Sequence, residues 1–181
     1  MLKKTVLLLA IISLALFSQP ATASTHATSL KSLGMDEIMF AQGMIPHHQQ
    51  AIDMSASALE RSSNPKVKAL ASGIISDQKN EMKQMKYWLL AKKAPLEMGH
   101  DMGMEGMLPG SQVAELKKLQ GLKFDKAFLK AMIEHHRGAL TMVFMLRESK
   151  NLEAKKLAKN IRVAQSAEIS AMKKLLLEVS K

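Results

Sequence analysis

Apolar residues recur at helical spacing along most of the chain, and no segment shows the sustained alternation of apolar and polar residues that is typical of a strand. Asn64 and Pro65 supply an N-cap and a first-turn proline, which predict that a helix begins there, and Asn151 predicts another such start. The helices predicted from this pattern span about residues 36–62, 65–92, 124–149 and 151–179.

The four predicted helices form two copies of one hairpin. The sequence from Met44 to Met54 recurs from Met132 to Met142, with a His-His pair at the same place in both copies. A second block repeats in the following helix, where the pattern Gln-x-x-Glu-x-x-x-Met occurs twice. Each antiparallel hairpin carries an apolar stripe, and two hairpins bury these stripes by packing together. The predicted fold is therefore an all-α four-helix bundle built from two repeated hairpins.

The other segments precede or connect these hairpins. Residues 24–35 are expected to form a flexible N-terminal segment, and residues 36–181 the bundle. A short helix is expected from Ser111 to Gln120, with Gly121 ending it. The parts of the bundle are hairpin one at 36–92, a connection rich in Gly, Met and Pro at 93–121, and hairpin two at 124–179.

Pro46 interrupts the pattern of the first helix. A proline inside a helix leaves the carbonyl four residues earlier, that of Gln42, without its donor. We therefore expect the helix either to kink here, with Gly43 easing the bend, or to begin afresh. The second repeat has Glu134 at this place, so the repeated pattern does not require a kink. The difference leaves open whether both hairpins bind a ligand equally.

The first residues have the features of a secretory signal peptide. Lys3 and Lys4 precede an apolar run from Val6 to Phe17, and an Ala-x-Ala sequence ends at Ala23. We expect residues 1–23 to be removed by cleavage after Ala23, which leaves a periplasmic or secreted protein. The apolar run is shorter than the roughly 18 residues of a typical span, so no stable membrane span is expected after cleavage. A retained N-terminal anchor is the alternative.

Composition narrows the chemistry that the chain can perform. The 181 residues include 15 methionines and no cysteine, which excludes disulfide scaffolds, cysteine zinc sites, iron–sulfur clusters and thiol nucleophiles. The formal net charge is +10, but basic residues alternate with acids along the helices and form no dense block with aromatics. No nucleic-acid partner is therefore predicted. The charge leaves room for weak attraction to anionic lipid headgroups but identifies no partner by itself.

Polar residues are predicted on the buried side of the helices. At about 100° per residue, His47 and His48 flank the apolar stripe of the first helix, and Gln78 and Glu81 lie on or beside that of the second. Antiparallel pairing brings these four residues to about one level of the hairpin. The second repeat places His135, His136, Gln165 and Glu168 in the same way.

Imidazole nitrogen and thioether sulfur together favour soft or borderline metal ions, above all Cu(I) and by the same softness Ag(I). Met44 and His48 share a helix face and are expected to bind an ion together, whereas Met54 lies too far along the helix to do so with His47. Glutamine and glutamate are expected to orient the imidazoles through their other ring nitrogen. The candidate ligands in the helices are His47, His48, His135, His136, Met44, Met54, Met85, Met132, Met142 and Met172.

The connection between the hairpins supplies further candidate ligands. Four methionines and one histidine lie between residues 98 and 107, among glycines that let the backbone wrap around an ion. We interpret this segment as a flexible Cu(I)-capturing loop, and the alternative is a linker whose methionines merely touch the bundle. The candidate ligands of the loop are Met98, His100, Met102, Met104 and Met107.

The doubled motif Met-Ile-x-His-His-x-x-Ala-(Ile/Leu)-x-Met, with the downstream Gln-x-x-Glu-x-x-x-Met and with Phe-Asp-x-x-Phe-Leu before the second copy, resembles an exported bacterial family. This family is labelled domain of unknown function 305, and the resemblance covers about residues 35–177. It implies a ferritin-like four-helix architecture. Family members of the copper-protein type bind Cu(I) and Ag(I) in the periplasm and support copper resistance. The resemblance therefore implies copper handling here, at His47, His48, His135, His136, Met44, Met54, Met132 and Met142.

Three functions are compatible with this sequence. We favour a periplasmic protein, not an enzyme, that sequesters Cu(I) or exchanges it with a periplasmic copper donor or acceptor protein. The second is a ferritin-like oxidase or peroxidase with a dinuclear centre in which Glu81 and Glu168 join the histidines. The predicted helices, however, lack the Glu-x-x-His spacing of di-iron bundles. The third is an interaction module whose polar core only specifies how its helices pack.

Overall fold

A computed structural model describes residues 30–98 and 103–180 of the chain. These described ranges contain helices and connecting turns but no strand. The predicted signal peptide, residues 1–23, lies outside the described residues, as do His100 and Met102 of the predicted loop site. The helices are α1 (Met35–Arg61), α2 (Pro65–Ala91), α3 (Gly110–Leu116), α4 (Gly121–Met142) and α5 (Leu152–Glu178), and a 3-10 turn (Val143–Leu146) follows α4.

The four long helices form the predicted all-α bundle. Helices α1 and α2 make one hairpin, α4 and α5 make the other, and the two hairpins meet mainly where α1 packs against α4. The short helix α3 lies against α4. No helix in the described part of the chain is long and apolar enough to cross a membrane.

The helix starts follow the capping residues in the sequence. The side chain of Asn64 accepts a hydrogen bond from the Lys66 amide, and that of Asn151 accepts one from the Ala154 amide, both at 2.9 Å. These two predicted caps are confirmed. Helix α1 begins differently, because the Glu37 carboxylate accepts a hydrogen bond from the Gly34 amide at 2.7 Å.

The same carboxylate fixes the start of α1 to the second hairpin. Ser149, in the turn before α5, donates a hydrogen bond of 2.5 Å to Glu37, and both residues are buried. Leu33, in the segment expected to be flexible, is only 5% exposed and packs into the apolar core. The described part of the N-terminal segment therefore packs onto the bundle.

Two boundaries differ from the prediction. Helix α1 runs without interruption through Pro46, which excludes a fresh start there, since buried neighbours on both sides hold the helix together despite one lost donor. Helix α3 ends at Leu116, before the predicted Gln120. Gly121 does not end a helix but starts α4, and its φ of +55° gives the left-handed turn that brings the chain into α4.

The end of the third long helix also differs. Its α-helical geometry ends at Met142 and continues as a 3-10 turn to Leu146, instead of reaching Ser149 as an α-helix. A tighter last turn is a common feature of helix ends, because its 3-10 hydrogen bonds satisfy carbonyl groups that would otherwise lack a donor.

The core consists of two apolar clusters that follow each other along the bundle. The first includes Phe40, Trp88 and Leu146 from three parts of the chain, and the second includes Ile74, Phe128 and Leu175. In each long helix, the histidines or the glutamine and glutamate of the repeated motifs lie between the residues of these two clusters. The fold therefore holds a polar layer between two apolar halves.

Candidate metal centre

The polar layer contains four fully buried histidines. His47 and His48 come from α1, His135 and His136 from α4, and each has no solvent exposure. Their inward position agrees with the helical projection of the sequence. Because an unsatisfied polar group in an apolar interior is unfavourable, the partners of these rings decide what the layer can do.

The two inner rings meet at the interface of the repeats. The ring centroids of His47 and His135 lie 3.8 Å apart, with an angle of 37° between the ring planes. The outer rings are farther from their neighbours, at 6.4 Å for His47 and His48 and 6.3 Å for His135 and His136. The arrangement is nearly the same in both repeats, as expected for a pseudo-twofold axis that passes between α1 and α4.

Each outer ring is bound by a carboxyl group of its own hairpin. The Nε2 atom of His48 lies 2.7 Å from Oε2 of Glu81, and Nε2 of His136 lies 2.8 Å from Oε2 of Glu168. The predicted orienting role of the glutamates is consistent with these hydrogen bonds. The glutamines do not share it, since the side-chain nitrogen and oxygen of buried Gln78 have no hydrogen-bond partner. The same holds for Gln165.

The tautomer of His47 is set by the loop between the hairpins. Its Nε2 atom lies 3.2 Å from the backbone oxygen of Glu105, and a carbonyl oxygen can only accept, so Nε2–H donates. In a neutral ring the lone pair then resides on Nδ1, which is buried and has no hydrogen-bond partner. Sequence reasoning missed this contact, because neither composition nor spacing indicates where a loop carbonyl will lie.

The inner ring of the second repeat has no equivalent partner. His135 has no well-formed hydrogen bond at either ring nitrogen, although the backbone of His47 lies close to its ring. The neutral ring therefore has one nitrogen lone pair free inside the bundle, and the two halves of the layer differ in how their inner imidazoles are held.

Burial keeps His47, His48 and His135 uncharged at neutral pH. It lowers the pKa of His47 to about 3, with the neighbouring His48 adding to the shift. Burial and then His136 lower the pKa of His48 to about 3, and the pKa of His135 is also held well below its usual value, chiefly by burial. Burial, followed by repulsion from Glu168, raises the pKa of Glu81 to about 8. Neutral imidazoles are the form that binds metal ions.

The described parts of the connecting loop are fixed to the bundle. Gln50 donates to the Leu108 oxygen at 2.9 Å and accepts from the Leu108 amide at 2.8 Å. Gln42 donates to the Pro95 oxygen at 2.9 Å. These contacts were not predicted with the flexible loop, because helical spacing alone marks Gln42 and Gln50 as ordinary polar positions.

A glycine pair sets how closely the loop approaches α4. Gly106 has a φ of +82°, and a Cβ atom there would meet the backbone of α4, including the Gly138 Cα at 2.8 Å. A Cβ atom on Gly138 would lie 1.9 Å from the Glu105 oxygen. Only glycine allows this backbone contact, which places the Glu105 carbonyl against His47.

Three methionine side chains converge on Gly43 of α1. The position that a Cβ atom of Gly43 would occupy lies 3.3 Å from Cε of Met142, 3.4 Å from Sδ of Met104 and 3.5 Å from Cε of Met98. We call Met98, Met104 and Met142 the thioether cluster. Two of its members come from the loop and one from α4, and His47 follows Gly43 by one helical turn. The cluster thus lies about one helical turn from His47 along α1.

The other predicted methionine ligands lie elsewhere. Met107 is partly buried, and its amide donates to the Met104 oxygen at 3.3 Å. Met44 and Met85 are fully buried in the first apolar cluster, and Met54, Met132 and Met172 are fully buried in the second.

The repeat does not provide a second thioether cluster of this kind. Ala131 takes the place of Gly43 in the second repeat, and Met54 takes the place of Met142. Ala131 lines a surface cleft together with Leu108 and Leu116, where the first repeat has loop methionines. The described residues therefore bring loop thioethers to one repeat and leucines to the other.

The carboxylates do not complete a metal site of the dinuclear type. Over residues 30–98 and 103–180, no three side chains of His, Asp or Glu are grouped so that they could hold one metal ion. Glu81 and Glu168 each bind one histidine instead.

The sequence model of one protein family, described as a domain of unknown function (DUF305), matches residues 37–176. Solved structures with this fold include a DUF305 protein from Streptomyces coelicolor that is inferred to be secreted. It is 32% identical with a TM-score of 0.76, over 80% of this chain and 94% of that one. A DUF305 fragment from Deinococcus radiodurans is 34% identical with a TM-score of 0.75, over 80% of this chain and 97% of the fragment.

CopM is a further structural relative, with structures in Cu(I)-bound, Cu(II)-bound and silver-bound forms. Its Cu(I)-bound form is 35% identical with a TM-score of 0.68, over 78% of this chain and 96% of that chain. The uncharacterized protein L153 of Acanthamoeba polyphaga mimivirus is 43% identical over 51 residues. That match covers 28% of this chain and only 34% of the viral protein. The solved relatives thus share the all-α bundle, and one of them, CopM, has structures with bound copper and silver.

Proposed function

This chain belongs to the DUF305 family, and from that membership and the geometry of its core we propose that it is an exported protein that binds Cu(I) and Ag(I). The observation that carries the proposal is the convergence of Met98, Met104 and Met142 on Gly43. Thioether sulfur is a soft, neutral ligand that favours Cu(I) and Ag(I) over harder ions. CopM, whose structures include Cu(I)-bound and silver-bound forms, supports the same choice of metals.

Gly43 leaves room beside the three methionines of the thioether cluster. Gly43 has no side chain, so the volume that a Cβ atom would fill is left to the three methionine ends. Methionine is flexible enough to rearrange around an ion without moving the helix that carries it. The cluster therefore supplies soft donors that adjust to the ion on a rigid helical support.

Imidazoles of the polar layer are proposed as additional ligands. His47 is the first of them, because its Nδ1 lone pair is buried, unprotonated and without a hydrogen-bond partner. The hydrogen bond from its Nε2 to the loop would orient the ring toward the ion, as outer partners of metal-bound histidines commonly do. His48, His135 and His136 are proposed as further nitrogen donors in the same layer.

Export fits this choice of ligands. In an oxidising compartment free thiols are lost to disulfides, whereas thioethers persist, and this chain has no cysteine. We propose that the chain is cleaved after Ala23 and acts in the periplasm, where it sequesters Cu(I) or passes it to another protein. We propose no catalytic step, because its soft donors hold an ion without supplying the carboxylate-rich dinuclear centre of an oxidase.

A competitive titration tests the proposal. The triple substitution Met98→Leu, Met104→Leu and Met142→Leu keeps side-chain size but removes three sulfur atoms. Titration of Cu(I) against a chelator of known affinity should show a loss of more than about a hundredfold, since changes in outer-shell groups alone alter metal affinity by roughly 10–100-fold. The matched control replaces Met35, Met39 and Met145, which lie outside the cluster, by leucine. Equal affinities of the two triple variants would refute the proposal.

A further inference from the structure

The outer face of α5 is basic. At about 100° per residue, one exposed side of this 27-residue helix carries six basic residues and no acid. Three exposed apolar residues lie among them, Leu152 at 77%, Val163 at 61% and Leu177 at 70% exposure. We call this surface the basic face, and its charged members are Lys155, Lys156, Lys159, Arg162, Lys173 and Lys174.

The acidic residues of α5 lie on its other sides. In the sequence Glu153 comes just before Lys155 and Lys156, which suggests alternating charge. On the helix, however, Glu153 and Glu178 project about 60° or more away from the centre of the basic face, and Glu168 turns inward to His136. The helix thus separates charges that alternate in the sequence.

A groove continues the basic face toward α4. Lys155, Lys159 and Arg162 line a cleft of about 350 Å³ whose opposite wall includes Phe144 and Arg147. Phe144 is 65% exposed, an unusual state for a phenylalanine in a bundle with a well-filled core. An apolar ring and a further positive charge therefore lie directly beside the basic helix face.

We propose that the basic face and this groove form a docking surface for an anionic lipid membrane. Six positive charges spread along about 29 Å of helix match an extended negative surface, whereas a small acidic ligand would need them gathered around one point. Apolar side chains that project outward, such as Val163 and Phe144, suit the soft headgroup region, into which they insert without a preformed pocket. Lysine side chains around them keep their charge at the level of the phosphates.

The binding so described is peripheral and reversible. Attraction of this kind weakens with salt, because screening shortens the reach of surface charges to about 3 Å at 1 M ionic strength. The membrane would contact the protein at α5, which lies on the side of α4 that faces away from Met142. The proposal does not depend on copper, since none of the surface residues belongs to the thioether cluster.

Sedimentation with vesicles tests the proposal. The processed chain, isolated from the exported fraction of an expression host, is mixed with vesicles of phosphatidylglycerol and phosphatidylcholine, or of phosphatidylcholine alone. We expect binding to the anionic vesicles only, with loss at high salt. The triple reversal Lys155→Glu, Lys159→Glu and Arg162→Glu should weaken it by more than about tenfold, since each base near an anionic surface contributes roughly fivefold.

A matched triple substitution on the other hairpin distinguishes the effect of this face from the effect of the overall net charge. Lys79→Glu, Lys83→Glu and Lys86→Glu change the net charge by the same amount on the exposed side of α2. This variant should keep most of the vesicle binding, and both variants share the same N-terminus, so any contribution of that segment cancels. An equal loss in the two triples would overturn the proposal, as would equal binding to neutral vesicles.

Fluorescence reports insertion directly. Phe144→Trp places an indole at the groove, while the native Trp88 is only 1% exposed and should not respond. We expect a blue shift of the emission on anionic vesicles and none on neutral ones. Binding of polyglutamate by the chain without any binding of anionic vesicles would assign the face to acidic proteins and overturn the membrane proposal.

Discussion

His47 and His135 pack against each other with their ring centroids 3.8 Å apart, one ring from each repeat, at the place where α1 meets α4. Two protonated imidazoles would repel at this distance, and both rings are fully buried. The packing of the two hairpins therefore depends on neutral rings. A core of this kind stays ready to bind soft metal ions but is sensitive to acid.

We predict that the metal-free chain loses stability steeply below about pH 6. The pKa of His47 and that of His48 are about 3 in the folded chain, and the pKa of His135 is also lowered, whereas unfolded histidines titrate near 6.5. Between these values only the unfolded chain binds the protons, so stability falls as the pH falls. The three histidines, partly offset by Glu81, should lower the free energy of unfolding by about 3 kcal/mol per pH unit between about pH 6 and 4.5. Urea unfolding at several pH values measures this slope.

The variant His135→Leu provides the control for the acid transition. It removes one of the three buried groups, so the slope below about pH 6 should become shallower by roughly 1.4 kcal/mol per pH unit. A slope that is identical in the variant and the wild type would show that the buried histidine rings do not cause the acid sensitivity.

We predict the opposite pH dependence for Glu81. Its pKa is about 8 in the folded chain and 4.5 when unperturbed, so the folded carboxyl keeps a proton that the unfolded one has lost. This contribution is full below pH 4.5 and is lost as the pH rises to about 8. Glu81→Gln stays neutral, so its stability relative to wild type should rise by about 1.4 kcal/mol per pH unit across that range. Chemical unfolding at pH 5 and 8 measures it, with exposed Glu60→Gln as the control that should show no such trend.

Much of this core could be predicted from the sequence, because helical direction is a local property. The angle of 100° per residue places His48 and Glu81 on inward faces, and a short antiparallel turn fixes their relative level. The hydrogen bond between the two side chains agrees with both inferences. The prediction for Gln78 failed at finer detail, since an angle gives the direction of a side chain but not whether its amide reaches a ring.

The contacts of the loop could not be predicted in this way. Composition identified Met98 and Met104 as candidate ligands, but their meeting with Met142 over Gly43 depends on how the loop lies across two helices. Nothing in the sequence indicates that the Glu105 carbonyl lies against a histidine. Such contacts arise only from tertiary packing, which spacing along one chain does not encode.

We predict that Gly138→Ala detaches the loop without unfolding the bundle. The new Cβ atom would lie 1.9 Å from the Glu105 oxygen and 2.6 Å from the Gly106 Cα, and no side-chain rotation relieves a clash between backbone atoms. The hydrogen bond between His47 and the loop should then be lost. Hydrogen exchange of residues 103–108 should accelerate, and Cu(I) affinity should fall by roughly tenfold or more, as expected for loss of an orienting partner.

Gly73→Ala is the control for this loop variant. Gly73 lies on the exposed side of α2, where a Cβ atom would meet nothing within 4 Å. Alanine should stabilise that helix by about 0.5–1 kcal/mol and leave the loop and the metal unaffected. Unchanged exchange of residues 103–108 in Gly138→Ala would contradict the role given to the glycine contact.

We predict that Gly43→Ala weakens Cu(I) binding while the fold stays intact. Alanine is the better helix former by about 1 kcal/mol, so thermal unfolding should occur at the same or a higher temperature. Its Cβ atom, however, would stand 3.3–3.5 Å from the ends of all three methionines and take the space in which they would close on an ion. Cu(I) affinity in competition with a chelator should fall by roughly tenfold or more, comparable with loss of a supporting group around a metal. If affinity and stability both stay at the wild-type values, the three methionines only pack against Gly43, and the metal must bind elsewhere in the bundle.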